Sequence, residues 1–342
     1  MIKTVGIVSL SSGMLGEEFL SRQLASGMER MKDLGLEVKF MTNALRGIEY
    51  LDRHPEKRAE DLIEAYSDSD VDMIFCAIGG DDTYRLLPYL FDNGEVEKAV
   101  NDTPFLGYSD TTINHVMLHK LGVKSFYGQA FIPDICTLEK DIYPYTKRYF
   151  EELITTGTIS CITPSDIWYE SREINGGFGE DQIGKALPSH KDRGFELLQG
   201  NSVFSGKILG GCIDSIYDMF DGGRYEDMPV LCRKYSLFPS ADDWRGRILL
   251  LESSEEKPAP EKYRKALMYL KDAGVFDAVS GVLTGKPMDE AYDTEYRQML
   301  REVIDDKPVV CNINTGHAAP HCIVPFGREA VVDAGKQEIR FI

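Results

Sequence analysis

The sequence has no Cys-x-x-Cys pair, and its seven cysteines, at 76, 136, 161, 212, 232, 311 and 322, are odd in number. That argues against a cysteine-built zinc site and against a disulfide framework, and it predicts a chain kept in a reducing cytoplasm. Long apolar runs are missing as well. The opening Met1-Ile-Lys-Thr-Val-Gly-Ile-Val-Ser-Leu breaks at Ser11-Ser12-Gly13, too early for a secretory core. The longest stretch free of formal charge, Pro308 to Gly327, holds Asn312, Asn314, His317, His321 and three prolines, so it reads as no membrane span. Positive charge is in short supply: 38 Lys and Arg stand against 56 Asp and Glu, a net charge of −18. Such a surface repels phosphate backbones and predicts no nucleic-acid partner, while a small anionic ligand in a local pocket stays compatible with it. No internal repeat or low-complexity tract occurs.

What is present fits an ordinary globular protein: 342 residues, 43% hydrophobic, 27% charged, long enough for two domains. Strand-like and helix-like segments alternate through the first half. Thr4–Leu10, Leu36–Met41, Val71–Ile78, Pro104–Gly107 and Val123–Tyr127 read as strands. Leu15–Leu34, Glu56–Tyr66, Thr83–Leu90 and Asp110–Leu121 read as helices. That alternation predicts right-handed βαβ units and a doubly wound, flavodoxin-like sheet over residues 1–164. Residues 165–201 lose periodicity, carry Trp168, Tyr169, Phe178 and Phe195 among charges, and read as a long linker or substrate loop. From 202 to 342 a second, β-rich α/β domain is expected, with strands at 203–209, 247–252, 279–284 and 308–312. Helices are expected at 213–220, 260–273 and 291–304, and a closing hairpin at Gly335.

Four constellations carry the chemistry. Phe105-Leu-Gly107-Tyr-Ser109-Asp110 runs a short strand into Gly-x-Ser and then a helical pattern, the layout of a nucleophile elbow. The last Gly of G-x-S-x-G is replaced by Thr111, and Ser109-Asp110 reads equally as a helix N-cap. Ile78-Gly79-Gly80-Asp81-Asp82-Thr83 follows the Val71–Ala77 strand. It is similar to the Gly-Gly-Asp-Gly-Thr phosphate loop of NAD kinases and phosphofructokinases, but Asp82 would repel a phosphate, and two carboxylates suit an amine or a polarised carbonyl better. The bland reading is a tight turn. Asn314-Thr-Gly316-His317-Ala-Ala-Pro320-His321 places a histidine past a buried strand, where it is a candidate base or merely solvated. Ile248-Leu-Leu-Leu251-Glu252 ends an aliphatic run in a carboxylate, which needs a partner if it points inward. Glu255 and Glu256 read as solvated. His115 and His119 share a helix face at i, i+4, but no third ligand stands at a zinc spacing, so helix packing is the better reading. Lys286 has no evident role as a base.

The ordered set resembles the LD-carboxypeptidase family of serine peptidases, which includes the microcin C immunity proteins. The matching pieces are Gly79-Gly80 with Arg85-Leu-Leu, Gly107-Tyr-Ser109-Asp110, Gly206-x-x-x-Gly210-Gly211, Leu251-Glu252, Gly281-x-x-x-Gly285, Gly316-His317-x-x-Pro320 and Pro325-x-Gly327. Length and the 165–201 segment favour the microcin-immunity branch. Cys212 stands where the pattern has Asn. The resemblance implies Ser109 as nucleophile, His317 as base and Glu252 as its orienting acid, with the Gly80 and Asp110 N–H groups as oxyanion hole. It implies a site between the two domains, a cytoplasmic homodimer, and neither metal nor cofactor. Its substrates would be an aminoacyl-nucleotide or a murein peptide, with Asp81, Arg85 and Trp168 as candidate contacts. Competing classes are a phosphotransferase built on Gly79–Thr83, which would leave Ser109 and His317 idle, and a non-catalytic protein that sequesters its ligand.

Overall fold

In the computed structural model, which describes residues 1–342, the apolar runs of the first third become the parallel strands β1 (Thr4–Val8), β2 (Glu37–Phe40), β3 (Met73–Cys76), β4 (Phe105–Gly107) and β5 (Ser125–Tyr127). Their spatial order is β5-β4-β3-β1-β2, the flavodoxin-like doubly wound arrangement expected from the alternation. The strand order reverses between β1 and β3, and the crevice at the carboxyl ends of such strands is where open α/β sheets bind ligands. Here that crevice is formed by Ser12 after β1, Ile78–Asp81 after β3 and Tyr108–Asp110 after β4.

The helix predicted over Leu15–Leu34 starts only at Ser21. Residues Met14–Gly16 and Glu18–Leu20 form two 3-10 turns, and Gly16 packs directly on the backbone of Leu45 and Gly47, so a continuous helix has no room. The segment from 165 to 201 is more ordered than its composition suggests. After β6 (Cys161–Ile162) it carries an antiparallel pair, β7 (Ile167–Tyr169) and β8 (Ser189–Lys191), and then β9 (Glu196–Gln199). The remaining strands are β10 (Val203–Cys212), β11 (Ile248–Glu252), β12 (Gly281–Gly285), β13 (Val309–Ile313), β14 (Val324–Phe326), β15 (Glu329–Asp333) and β16 (Glu338–Phe341).

Eight of these form the second sheet, ordered β6-β16-β15-β10-β11-β12-β13-β9, with a parallel centre from β10 to β13. The expected closing hairpin is β15–β16. Strand β14 leaves that half of the chain and pairs antiparallel with β5, at the edge of the first sheet. The two halves therefore share one apolar core, in which Tyr127, Phe326, Leu249 and Leu250 belong to a single cluster. Ile248, Leu249, Leu250 and Leu251 are all fully buried, and each adds about 2 kcal/mol relative to an exposed side chain. This packing fixes the carboxyl ends of β10, β11 and β13 opposite those of β1, β3 and β4.

Candidate active site

A cleft of about 760 Å³ lies between the two sets of strand ends. Ser109 stands on its wall at the turn from β4 into the helix Thr112–Lys120, with φ +65, a conformation that costs a side-chain-bearing residue energy and that lifts its hydroxyl out of the sheet. Space for it comes from the neighbouring loop: a Cβ on Gly79 would sit 2.7 Å from Ser109 Cβ and 2.9 Å from its Oγ. Gly80 lies beside Gly79, and the Asp110 N–H opens the helix, where backbone donors have no intrahelical partner.

His317 reaches the same point from the loop after β13. Its Nε2 is 3.0 Å from Ser109 Oγ, and its Nδ1 is 2.8 Å from Glu252 Oε2. Glu252 ends β11 and is 2% exposed. Its other oxygen accepts the Tyr127 hydroxyl at 2.5 Å, so both carboxylate oxygens are occupied, as a buried charge requires. The Tyr127 hydroxyl in turn accepts the Ser109 N–H at 3.1 Å, which ties the Ser109 turn to Glu252 through one side chain. Gly316 is needed here: with φ +100 it admits Glu252 against the backbone, and a Cβ would meet Glu252 Oε2 at 2.5 Å.

Burial would lower the His317 pKa, but the charges and hydrogen bonds of Glu252 and Glu255 outweigh it and hold the imidazolium well above the usual histidine range. Glu255 is a correction to the sequence reading. Half of its side chain is exposed, yet its Oε2 lies 3.0 Å from His317 Nε2, the atom that also faces Ser109. Burial pushes its carboxyl up, the His317 partner wins, and the result is a pKa of about 2. Glu256 pairs with Arg224 and stays at the surface.

Beneath the Gly79–Asp82 loop lies a polar network that the sequence did not disclose. Arg58 is fully buried and donates to Asp82 Oδ1 at 2.6 Å and Oδ2 at 3.0 Å, and to the carbonyls of Leu10 and Ser11. Asp82 is thereby structural, which disposes of its reading as a ligand group; Arg85 also serves it, at 2.8 Å, and does not line the cleft. Asp110 accepts from Ser11 Oγ at 2.7 Å and from the Thr83 N–H at 2.9 Å, which pins the loop to the nucleophile turn. Burial, together with Asp82 and Asp81, pushes the Asp110 carboxyl up to about 7.

Asp81 and Cys212 line the cleft, and the Cys212 N–H donates to Thr112 Oγ1 at 2.9 Å. Trp168 does not line it: the ring is buried, stacks on His190 at 4.6 Å and lies under the Lys286 ammonium at 5.1 Å. Tyr169 and Phe178, from the same segment, do face the cleft. His115 spends both ring nitrogens inside the fold, on Ser125 Oγ at 2.7 Å and the Gly107 carbonyl at 3.0 Å, and so has none for a metal. Chemically the assembly brings together a hydroxyl, an imidazole and a buried carboxylate in hydrogen-bond order, a set of groups capable of acyl transfer.

Comparison with known proteins places the whole chain in a family. A crystal structure of an MccF-like protein from Streptococcus pneumoniae in complex with AMP superposes with a TM-score of 0.98 at 55% identity, covering 100% of this chain and 99% of that one. The microcin C7 self-immunity protein MccF of Escherichia coli is 26% identical over 83% of this chain and 77% of its own length. The Bacillus subtilis protein named "Probable murein peptide carboxypeptidase" is 23% identical over 92% of this chain and 86% of its own. The family models for the LD-carboxypeptidase N-terminal and C-terminal domains match residues 5–128 and 205–332, so the chain belongs to the LD-carboxypeptidase family of serine peptidases.

Proposed function

We propose that the chain hydrolyses an amide bond in a small aminoacyl-nucleotide or peptide, with Ser109, His317 and Glu252 acting as a triad. The observation that carries this reading is the continuous line from Ser109 Oγ through His317 to Glu252, at 3.0 Å and 2.8 Å, on a serine held at φ +65. Ser109 Oγ attacks the carbonyl carbon and its proton passes to His317 Nε2. The carbonyl oxygen becomes an oxyanion, received by the Gly80 and Asp110 N–H groups. Collapse breaks the C–N bond, and His317 returns the proton to the leaving nitrogen. Water then repeats the sequence on the acyl-serine and releases the acid. Glu252 stabilises the imidazolium formed in each half and holds Nδ1–H in place.

An aminoacyl-nucleotide is favoured over a murein tetrapeptide by the AMP held by the Streptococcus pneumoniae relative, and by Tyr169 and Phe178 on the cleft wall, flat faces suited to a base. The murein peptide reading, with release of a terminal D-Ala, has the Bacillus subtilis relative in its support. Incubation of the pure protein with aminoacyl-sulfamoyl adenosines and with murein tetrapeptide, read by mass spectrometry, tests both. Ser109→Ala should lose activity by about 10³-fold or more while still binding ligand. Turnover at the wild-type rate in that variant would refute the assignment.

A further inference from the structure

The contact between Glu255 and His317 conflicts with the work of a base. A histidine that takes the Ser109 proton must present a bare lone pair at Nε2, with its only proton on Nδ1 facing Glu252. A carboxylate 3.0 Å from that lone pair is repelled; it is attracted only when Nε2 carries a proton. Glu255 and Ser109 Oγ, both at 3.0 Å, therefore compete for one nitrogen, and the Glu255 contact belongs to the state in which the base is already occupied.

The surroundings indicate what would draw Glu255 away. The cleft beyond it is lined by carboxylates from both halves: Asp81 after β3, Asp214 and Asp218 on the helix Ile213–Asp218, and Glu256 after β11. Asp214 is matched by Lys262 at 2.9 Å and Glu256 by Arg224. Asp218 is 5% exposed and accepts no hydrogen bond; the Arg224 guanidinium stands 3.8 Å away, and the Lys262 ammonium, paired with Asp214, also acts on it from farther off. Asp81 has the same guanidinium at 4.0 Å. Next to them Ser254 Oγ, on a residue 6% exposed, is without a partner. A nine-tenths-buried carboxylate without a hydrogen bond is costly, and a bound cation relieves that cost. The other groups facing His317 and Glu255 are Tyr108 on the elbow, whose ring is 5.1 Å from His317, the His321–Asp134 pair behind that ring, and Cys212 at the end of β10. None of these is a cation; Arg224 does act on Glu255, but its ion pairs go to Glu256, Asp218 and Asp81, and it does not draw Glu255 off His317.

Building on the triad reading, we propose that Glu255 is a specificity-determining latch: it caps His317 Nε2 in the unliganded enzyme and transfers to an ammonium group of the substrate, bound between Asp218 and Asp81, so that a cationic substrate frees its own base. The ammonium is either the α-amino group or the side-chain amine of the residue that donates the acyl group.

Lysyl-, norleucyl- and glutamyl-sulfamoyl adenosine, each with and without an Nα-acetyl group, separate the two sources. The acetylated lysyl compound keeps only the side-chain cation, and norleucyl keeps only the α-ammonium. In the wild type the compound that carries the recognised cation should lead the others in kcat/KM. Glu255→Gln should cut that preference by about tenfold or more and move the acid limb of the pH profile down by about one unit, because His317 loses a carboxylate that holds its proton. Asp218→Asn should cut the preference and leave the acid limb of the uncharged substrate in place. Independently of turnover, NMR titration of the His317 ring in Ser109→Ala should show a lower midpoint with the lysyl or α-amino ligand than without it, and no such change when Glu255→Gln is added. If Glu255→Gln leaves preference, acid limb and ring titration unchanged, the latch is wrong although the triad stands. If Ser109→Ala remains active, the triad reading falls first.

Discussion

At the scale of single residues, Glu252 and its neighbours show how position decides the role of a carboxylate. Glu252, Glu255 and Glu256 are chemically similar and lie within five positions, yet one is buried with both oxygens bonded, one touches His317 from the solvent side, and one pairs with a surface arginine. Glu252→Gln should lower kcat by orders of magnitude, since an amide neither stabilises the imidazolium nor fixes its tautomer. Glu256→Gln should change kcat by less than about threefold, as a partly solvated charge does. Tyr127→Phe is the sharper test of the geometry. It strands Glu252 Oε1 and the Ser109 N–H at once inside the core, so kcat should fall by about tenfold or more and stability by about 2 kcal/mol, read by steady-state kinetics and urea unfolding. An unchanged kcat would show that His317 alone sets the orientation of Glu252.

At the scale of elements, what the sequence disclosed was where strands end. Val71–Ile78, Pro104–Gly107 and Ile248–Glu252 are short apolar runs that stop at Gly, Tyr-Ser or Glu, and the structure places the first two stops on the cleft wall and the third, Glu252, buried behind His317. Burial writes itself into such runs, because a central parallel strand is apolar on both faces. What stayed hidden depends on partners far along the chain. Nothing local marks Tyr127 as the link between Ser109 and Glu252, Arg58 as the support of Asp82, or Val324–Phe326 as a strand of the other sheet. Trp168 was misread because an aromatic residue in an aperiodic stretch looks available, whereas its ring is spent on His190 and Lys286. That stack anchors the β7–β8 pair, and the Tyr169 N–H extends it to the Ala319 carbonyl, two residues from His317. Lys286 lies fully buried at its foot, 3.0 Å from Glu290 and 3.8 Å from the buried Asp192. Lys286→Met should therefore leave Asp192 uncompensated, lower stability by about 3 kcal/mol in urea unfolding and raise KM through a loosened wall. A wild-type midpoint would mean that Asn312 and Asn314, which also bond Asp192, suffice to hold it.

At the scale of the whole molecule, the site writes its chemistry into stability. Burial raises the carboxyls of Asp61 and Asp218 to about 6 and of Asp110 to about 7, so the folded chain keeps protons that the unfolded chain has released, and stability from these groups falls as pH rises through that range. His115 and His119, drawn down to about 4 by burial, work in the opposite sense between pH 4 and the ordinary histidine value of about 6.5, where the unfolded chain holds the extra protons. The two sets largely offset each other on the acid side. Above pH about 6.5 the unfolded histidines are neutral and that compensation ends. What remains is His317, held protonated by Glu252 and Glu255, with Asp110 beside it. A group whose folded pKa is raised contributes stability that is complete below its unfolded pKa and is lost as pH climbs toward the folded one. The melting temperature should therefore fall from pH 6.5 to 8, below the range where the buried cysteines begin to act, by an amount equivalent to roughly 1–2 kcal/mol. His317→Gln should flatten most of that decline, and Glu255→Gln part of it, in calorimetry across the same window. A decline of unchanged slope in His317→Gln would assign it to Asp110, and Asp110→Asn would then remove it.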